Sequence, residues 1–270
     1  MRSKAFLLAL HSSTHRMNTF TDSTATAFSL ITSLDPMLAG IVARSLAVSA
    51  CACAIASGGG LLLGGWLGVS RFWGRGAVLA LLNTALALPS VVVGLVVYLL
   101  LSRSGPLGFL GWLFSFKAMV LAQAVLVLPV VMALVRQTVE DADRNHGEQF
   151  QSLGAGRFVR SLILLWDERY ALLTVLIAAF GRAISEVGAV MVVGGNIDGF
   201  TRVMTTSIAL ETSKGDLPMA LALGMVLLGV VLLLNCLIAL LRRWRERLDD
   251  HLPDVATGVA LSPATQGARP

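Results

Sequence analysis

Residues 170–194 read YALLTVLIAAFGRAISEVGAVMVVG. The run is long enough to cross a bilayer, since about 30 Å of hydrocarbon takes roughly 20 helical residues. It is apolar almost throughout, yet Arg182 and Glu186 stand inside it four residues apart. Either charge alone in lipid costs a few kcal/mol, on the order of 3 on insertion scales, so a paired arrangement facing the bundle interior or a water-filled cavity is expected. As i and i+4 neighbours the two can form a salt bridge.

Apolar runs of similar length recur at 38–68, 76–101, 117–139 and 217–241. They are continuous rather than alternating, which excludes barrel strands. Across its 270 residues the chain is 56% hydrophobic and 14% charged, with a mean hydropathy of +0.77. That is more apolar surface than a soluble domain of this length could bury. The fold class is therefore all-α: a polytopic membrane helical bundle with about five transmembrane helices. Pro89 and Pro129 predict local kinks in the second and third spans. The stretch GGGLLLGG at 58–65 predicts close helix packing.

Most of the positive charge lies between the runs and follows a pattern. Arg71, Arg75, Arg136, Arg144, Arg157, Arg160, Arg169, Arg242, Arg243, Arg245 and Arg247 fall on one side of the expected membrane, whereas the other carries Arg103, Lys117, Arg202 and Lys214. The arginine-rich side is expected to be cytoplasmic, which puts the N-terminus outside and the C-terminus inside. Clusters beside apolar runs are topology signals, so the net charge of +5 implies no nucleic-acid partner. Cys51, Cys53 and Cys236 lack metal-site spacing and read as small apolar side chains.

The expected organisation is an N-terminal extension at 1–35, a transmembrane domain at 36–248 and a flexible cytoplasmic tail at 249–270. The extension makes a poor secretory signal, Met17 is an alternative start, and 28–34 is either a short interfacial helix or part of an extended tail. Between spans three and four, at 140–169, lies a loop that is long for a turn and too short for a separate core. Within it Phe150, Leu153, Phe158, Leu162 and Leu165 recur at helical spacing around Gly154 and Gly156. Two short helices joined at a glycine suit docking to a partner; the same pattern suits an amphipathic stretch on the lipid surface.

Glu148-Gln149-Phe150-Gln151-Ser152-Leu153-Gly154-Ala155 resembles the EAA loop of ABC importer permeases, with Glu148, Leu153, Gly154 and Ala155 at the family's spacing and Gln149 and Phe150 in place of its alanines. The segments LLNTALALPSVVVGLVVYLLLSRSGPLGFLG at 81–111 and EVGAVMVVGGNIDGFTRVMTTSIALETSKGD at 186–216 are similar to the permease subunit of tungstate-type ABC importers, within the molybdate and sulfate permease superfamily. The resemblance covers roughly 36–245 and implies a type I importer permease in a bacterial-type cytoplasmic (inner) membrane. Its implied work is ATP-driven import of a tetrahedral oxyanion, tungstate foremost, with molybdate or sulfate as the alternative. It also implies a cytoplasmic ABC ATPase and an extracytoplasmic oxyanion-binding protein as partners. The chain then carries no cofactor of its own, ATP residing on the partner, and no GxxxxGK[ST] loop occurs in it. One coupling loop per chain predicts a homodimer, which would present two loops to two ATPases.

On this reading Glu148, Leu153, Gly154, Ala155 and Phe158 form the ATPase-coupling loop. Arg182 and Glu186 line the translocation path, and Asn196, Thr205 and Thr206 form an outer gate, after glycines that permit a tight turn. Asn83 is a further candidate for the path. Each has a structural alternative: the ion pair fixes packing, the 194–206 loop merely turns the chain, and Asn83 bonds to a neighbouring helix. A stand-alone ion-coupled transporter leaves the arginine-rich loop unexplained. An intramembrane enzyme lacks its nucleophile and base, because His11, His15, His146 and His251 all lie outside the spans.

Overall fold

Gly60, Gly64 and Gly68 recur at every fourth position of helix α2 (Pro36–Val69), on the face opposite Val131, Val135 and Val139 of α5 (Phe116–Ser152). A Cβ on Gly60 would come within 2.6 Å of Val131 Cγ1, and one on Gly64 within 2.6 Å of the Met132 carbonyl oxygen. The two backbones therefore approach as closely as glycine permits, which is how small residues drive helix association where lipid supplies no hydrophobic force. The valines are fully buried and, with Leu164, Leu172 and Ala179, form one core of the bundle.

The computed structural model describes residues 24–33, 35–152 and 154–250, with backbone alone at 146, 148, 151 and 245–250. The expectations for 1–23, Leu153 and 251–270 lie outside the described residues. A short helix, α1, covers 24–32, and its Ala27 packs with Leu38 and Ile41 of α2 and with Met204 and Leu223. Then follow α3 (Arg75–Ala87), α4 (Ser90–Leu101), α5, α6 (Arg157–Asp167), α7 (Arg169–Ile184), α8 (Gly188–Gly194), α9 (Met204–Lys214) and α10 (Leu217–Asp250), with one 3-10 turn at Gly108–Leu110. The all-α bundle is borne out: among the described residues there is no strand.

Among the described residues, three helices are long and apolar enough to cross a membrane by themselves: α2, α5 and α10. The pairs α3 with α4 and α7 with α8 bring the number to five if each bent pair is one span. The bends differ from expectation. At Leu88-Pro89 the chain turns by 100°, where a local kink was expected. Leu88 and Pro89 are both extended, with ψ of 132° and 128°; proline disfavours the helical region for its predecessor and has no N–H to carry the ladder on. Pro129 sits inside α5, which runs on through it to Ser152. The first half of the 140–169 loop is thus the end of a membrane helix rather than a separate short one.

The second break lies in the run quoted first. Helices α7 and α8 meet at 57° across Ser185, Glu186 and Val187. Close packing holds the angle: a Cβ on Gly94 of α4 would sit 2.7 Å from Ala189 Cα, and one on Gly188 would sit 2.7 Å from Val91 Cγ2.

Candidate functional site

The break is where the charged pair sits. Glu186 is 7% exposed, and its Oε1 accepts the main-chain N–H of Gly188 at 2.8 Å and of Ala189 at 3.4 Å. Its Oε2 lies 3.5 Å from Arg182 Nη1, and the arginine side chain is 57% exposed. The pair thus forms across a helix end, with Arg182 in the last turn of α7 and Glu186 just beyond it, not along one continuous helix face. Two amide donors and one guanidinium satisfy a carboxylate whose isolated burial would be prohibitive.

Three other helices are tied to the same break. From α9, Thr205 Oγ1 donates to the carbonyl of Glu186 at 2.8 Å. Gln123, from α5, donates through Nε2 to the carbonyl of Ala183 and also to Ser49 Oγ of α2 at 3.3 Å. Gln123 is 2% exposed, and its Oε1 has no protein hydrogen bond. Ser45, one turn before Ser49, accepts the Met204 N–H at 2.6 Å and so caps α9. A lone glutamine in a hydrophobic span gave no sequence signal beyond its polarity.

Two cavities of about 10 Å³ adjoin these groups. One is lined by Ser45, Ser49, Gln123, Glu186 and Thr205 among others, the second by Gln123, Arg182 and Glu186 with Leu126, Val127 and Ala183. Each has room for about one water. Neither cavity is large enough for a tetrahedral oxyanion.

Beyond α8 the backbone turns back. Gly195 and Asn196 both have positive φ, at 69° and 50°. Asn196 Nδ2 reaches the Thr206 carbonyl at 3.5 Å, whereas Thr206 Oγ1 accepts the Val203 N–H at 3.2 Å and caps α9. Thr201 Oγ1 bonds the Gly194 carbonyl at 2.6 Å. Arg44 donates to the carbonyls of Arg202 and Gly199, and Arg202 pairs with Asp198. The hydroxyls of Thr201, Thr205 and Thr206 are committed to main chain, as the turn reading requires. Asn83 is exposed on α3 and lines neither cavity.

At the opposite end, α5 terminates at Gly154, whose φ is +74°, with the Ala155 N–H returning to the Phe150 carbonyl at 3.0 Å. This is a Schellman closure, which asks for glycine at the left-handed position. Glu148 lies on the last turns of α5, and Phe158, 60% exposed, on α6. Beside them is a groove of about 1030 Å³, lined by Arg71, Arg75, Glu140, Asp143, Ala155, Arg157 and Arg160 among others. Glu140 pairs with Arg75 at 3.0 Å, with Arg144 at 3.1 Å and with Arg136; Arg160 Nε lies 2.9 Å from Asp143 Oδ1. These pairs fasten the start of α3, α5 and α6 into one unit. Sequence spacing suggests the pairs of Glu140 with Arg136 and Arg144 on α5, but not those of Glu140 with Arg75 or of Asp143 with Arg160, which depend on the fold.

A helical membrane bundle with a charged, hydrogen-bonded break inside one span has the construction of a transport subunit, in which interrupted helices bring polar groups to membrane depth. The chain belongs to the family described as binding-protein-dependent transport system inner membrane component, whose model matches residues 60–247. It is 42% identical over 216 residues to the tungstate uptake system permease protein TupB of Peptoclostridium acidaminophilum, covering 78% of this chain and 93% of that one. A probable anion ABC transporter permease protein of Haloferax volcanii is 41% identical over 215 residues, covering 78% and 91%. TupB of Campylobacter jejuni is 40% identical over 163 residues, covering 60% and 68%.

Proposed function

We propose that this chain is the membrane-spanning subunit of an ATP-driven importer for a tetrahedral oxyanion, with tungstate as its substrate. The observation that carries the reading is 42% identity, over 93% of its length, to a permease named for tungstate uptake. The charged break supports it. An exposed Arg182 draws an anion to the break, and the buried Glu186 behind it limits that attraction, so that the anion is passed on rather than held. Tungstate and molybdate have the same charge and nearly the same size, so their separation falls to an extracytoplasmic binding protein.

The chain works as a homodimer with its pore on the two-fold axis. Helix α3 favours this: it stands at 100° to α4 and, among its residues, only Leu82 is buried. The α5–α6 junction around Glu148, Gly154 and Ala155 docks on a cytoplasmic ABC ATPase, which binds the ATP. Closure of the ATPase pair moves the two halves as rigid bodies. The N-terminus lies outside and the C-terminus inside the cytoplasmic membrane.

The test is tungsten and molybdenum accumulation, read by mass spectrometry, in cells lacking this gene and in the complemented strain. Loss of tungsten uptake that resists excess molybdate supports the reading. Equal loss of both metals makes the substrate the wider class of oxyanion, and loss of neither overturns it.

A further inference from the structure

Helix α6 carries five large apolar side chains on one side: Phe158, Val159, Leu162, Ile163 and Trp166, between 39% and 74% exposed. At about 100° per residue they fall within an arc of about 140°. No charged residue lies within that arc. Arg160, Ser161 and Leu164 point the other way and are buried, and Arg157 and Asp167 lie off the arc.

We propose that this face is seated in the lipid bilayer, so that α6 lies in the membrane plane at the boundary between headgroups and acyl chains. Three observations set its depth. The helix rests on α2 at Gly65, where a Cβ would come within 2.8 Å of both Leu165 Cδ1 and Ser161 Oγ. Gly65 lies about one turn before the end of α2, inside a membrane-length helix. At its other end α6 is separated from α7, the first half of a bent span, by Glu168 alone. On this proposal both neighbours, of membrane length, hold it level with the edge of the hydrocarbon.

The third observation is aromatic. Arg169 lies 5.6 Å from the Trp166 ring centroid and 4.7 Å from that of Tyr170, and Tyr170 packs edge-on against Trp244 of α10 at 5.7 Å. Tryptophan, tyrosine and arginine gathered at the end of membrane helices mark the interfacial layer. A short helix with an uninterrupted apolar arc and charges outside it is built to lie in that layer. A face meant for a soluble ATPase would instead leave these five side chains in water in the free permease. The inference needs only that the chain inserts in a membrane, and does not depend on its substrate.

The test uses full-length protein in which Cys51, Cys53 and Cys236 are replaced by alanine, carrying Phe158→Cys, Leu162→Cys or Trp166→Cys, with Arg157→Cys as the off-arc position. Each is labelled with an environment-sensitive fluorophore in vesicles of phosphatidylcholine and phosphatidylglycerol. The expected result is several-fold stronger quenching by nitroxide-labelled lipid than by aqueous iodide at 158, 162 and 166, the reverse at 157, and no change when the ATPase is added. Stronger quenching by iodide on the arc overturns the proposal. So does shielding that appears only with the ATPase, or disulfide cross-linking between two copies at these positions. Val159→Cys and Ile163→Cys replace any position at which labelling prevents insertion.

Discussion

Gln123 of α5 donates its side-chain amide to the main-chain carbonyl of Ala183, in the last turn of α7 before the break in the fourth span. The same side chain reaches Ser49 of α2, so one buried glutamine binds three helices at the depth of the charged pair. Gln123→Leu keeps the volume and removes the donor. It should cost about 1–3 kcal/mol, the range for a buried acceptor left unpaired. The check is thermal unfolding of the purified variant, with tungstate uptake measured beside it. An unchanged transition would mean that the carbonyl is satisfied some other way.

Arg182→Ala and Glu186→Ala should separate by phenotype. Glu186 uses one oxygen to hold the N–H groups of Gly188 and Ala189 and the other to meet Arg182, so Glu186→Ala loosens the break itself and lowers the amount of folded protein. Arg182 is more than half exposed, and Arg182→Ala should reduce uptake more than it reduces folded protein in the membrane. Uptake that falls only in proportion to protein would assign the pair to packing alone.

Gly154 has φ of +74° and open space where a Cβ would go. Gly154→Ala therefore pays in backbone strain, about 1–2 kcal/mol, and not in a clash. Gly154→Trp should leave insertion and dimerisation intact but abolish uptake, measured as transport per folded dimer. Normal uptake in that variant would remove this turn from the coupling contact.

The glycine stripe of α2 supplies an internal control. Gly64→Ala brings a Cβ within 2.6 Å of the Met132 carbonyl, whereas Gly58→Ala meets nothing within 4 Å. The first should destabilise by about 1–3 kcal/mol, as overpacking does, and the second should be neutral or slightly stabilising in a helix interior. Equal melting temperatures for the two would show that α2 and α5 can separate freely.

Much of this architecture is legible in the sequence, because lipid imposes length and polarity on every span. The helical class, the glycine packing of α2 and the meeting of Arg182 with Glu186 can each be read from residue type and spacing. The bends cannot. Ser185-Glu186-Val187 contains no proline or glycine, and the helix ends there because the Glu186 side chain captures the amides of Gly188 and Ala189, which only the folded site reveals. Pro89 and Pro129 look alike in sequence, yet one ends a helix and the other is absorbed in α5. The roles of Gln123, Arg160 and Asp143 rest on partners distant in the chain, so no local pattern announces them.

Helix α5 carries Gln123 near one end and the turn at Gly154 just past the other, with no interruption between them from Phe116 to Ser152. At 1.5 Å per residue it is a rod about 55 Å long, so a displacement of its arginine-rich end carries to the depth of the charged break without a joint in between.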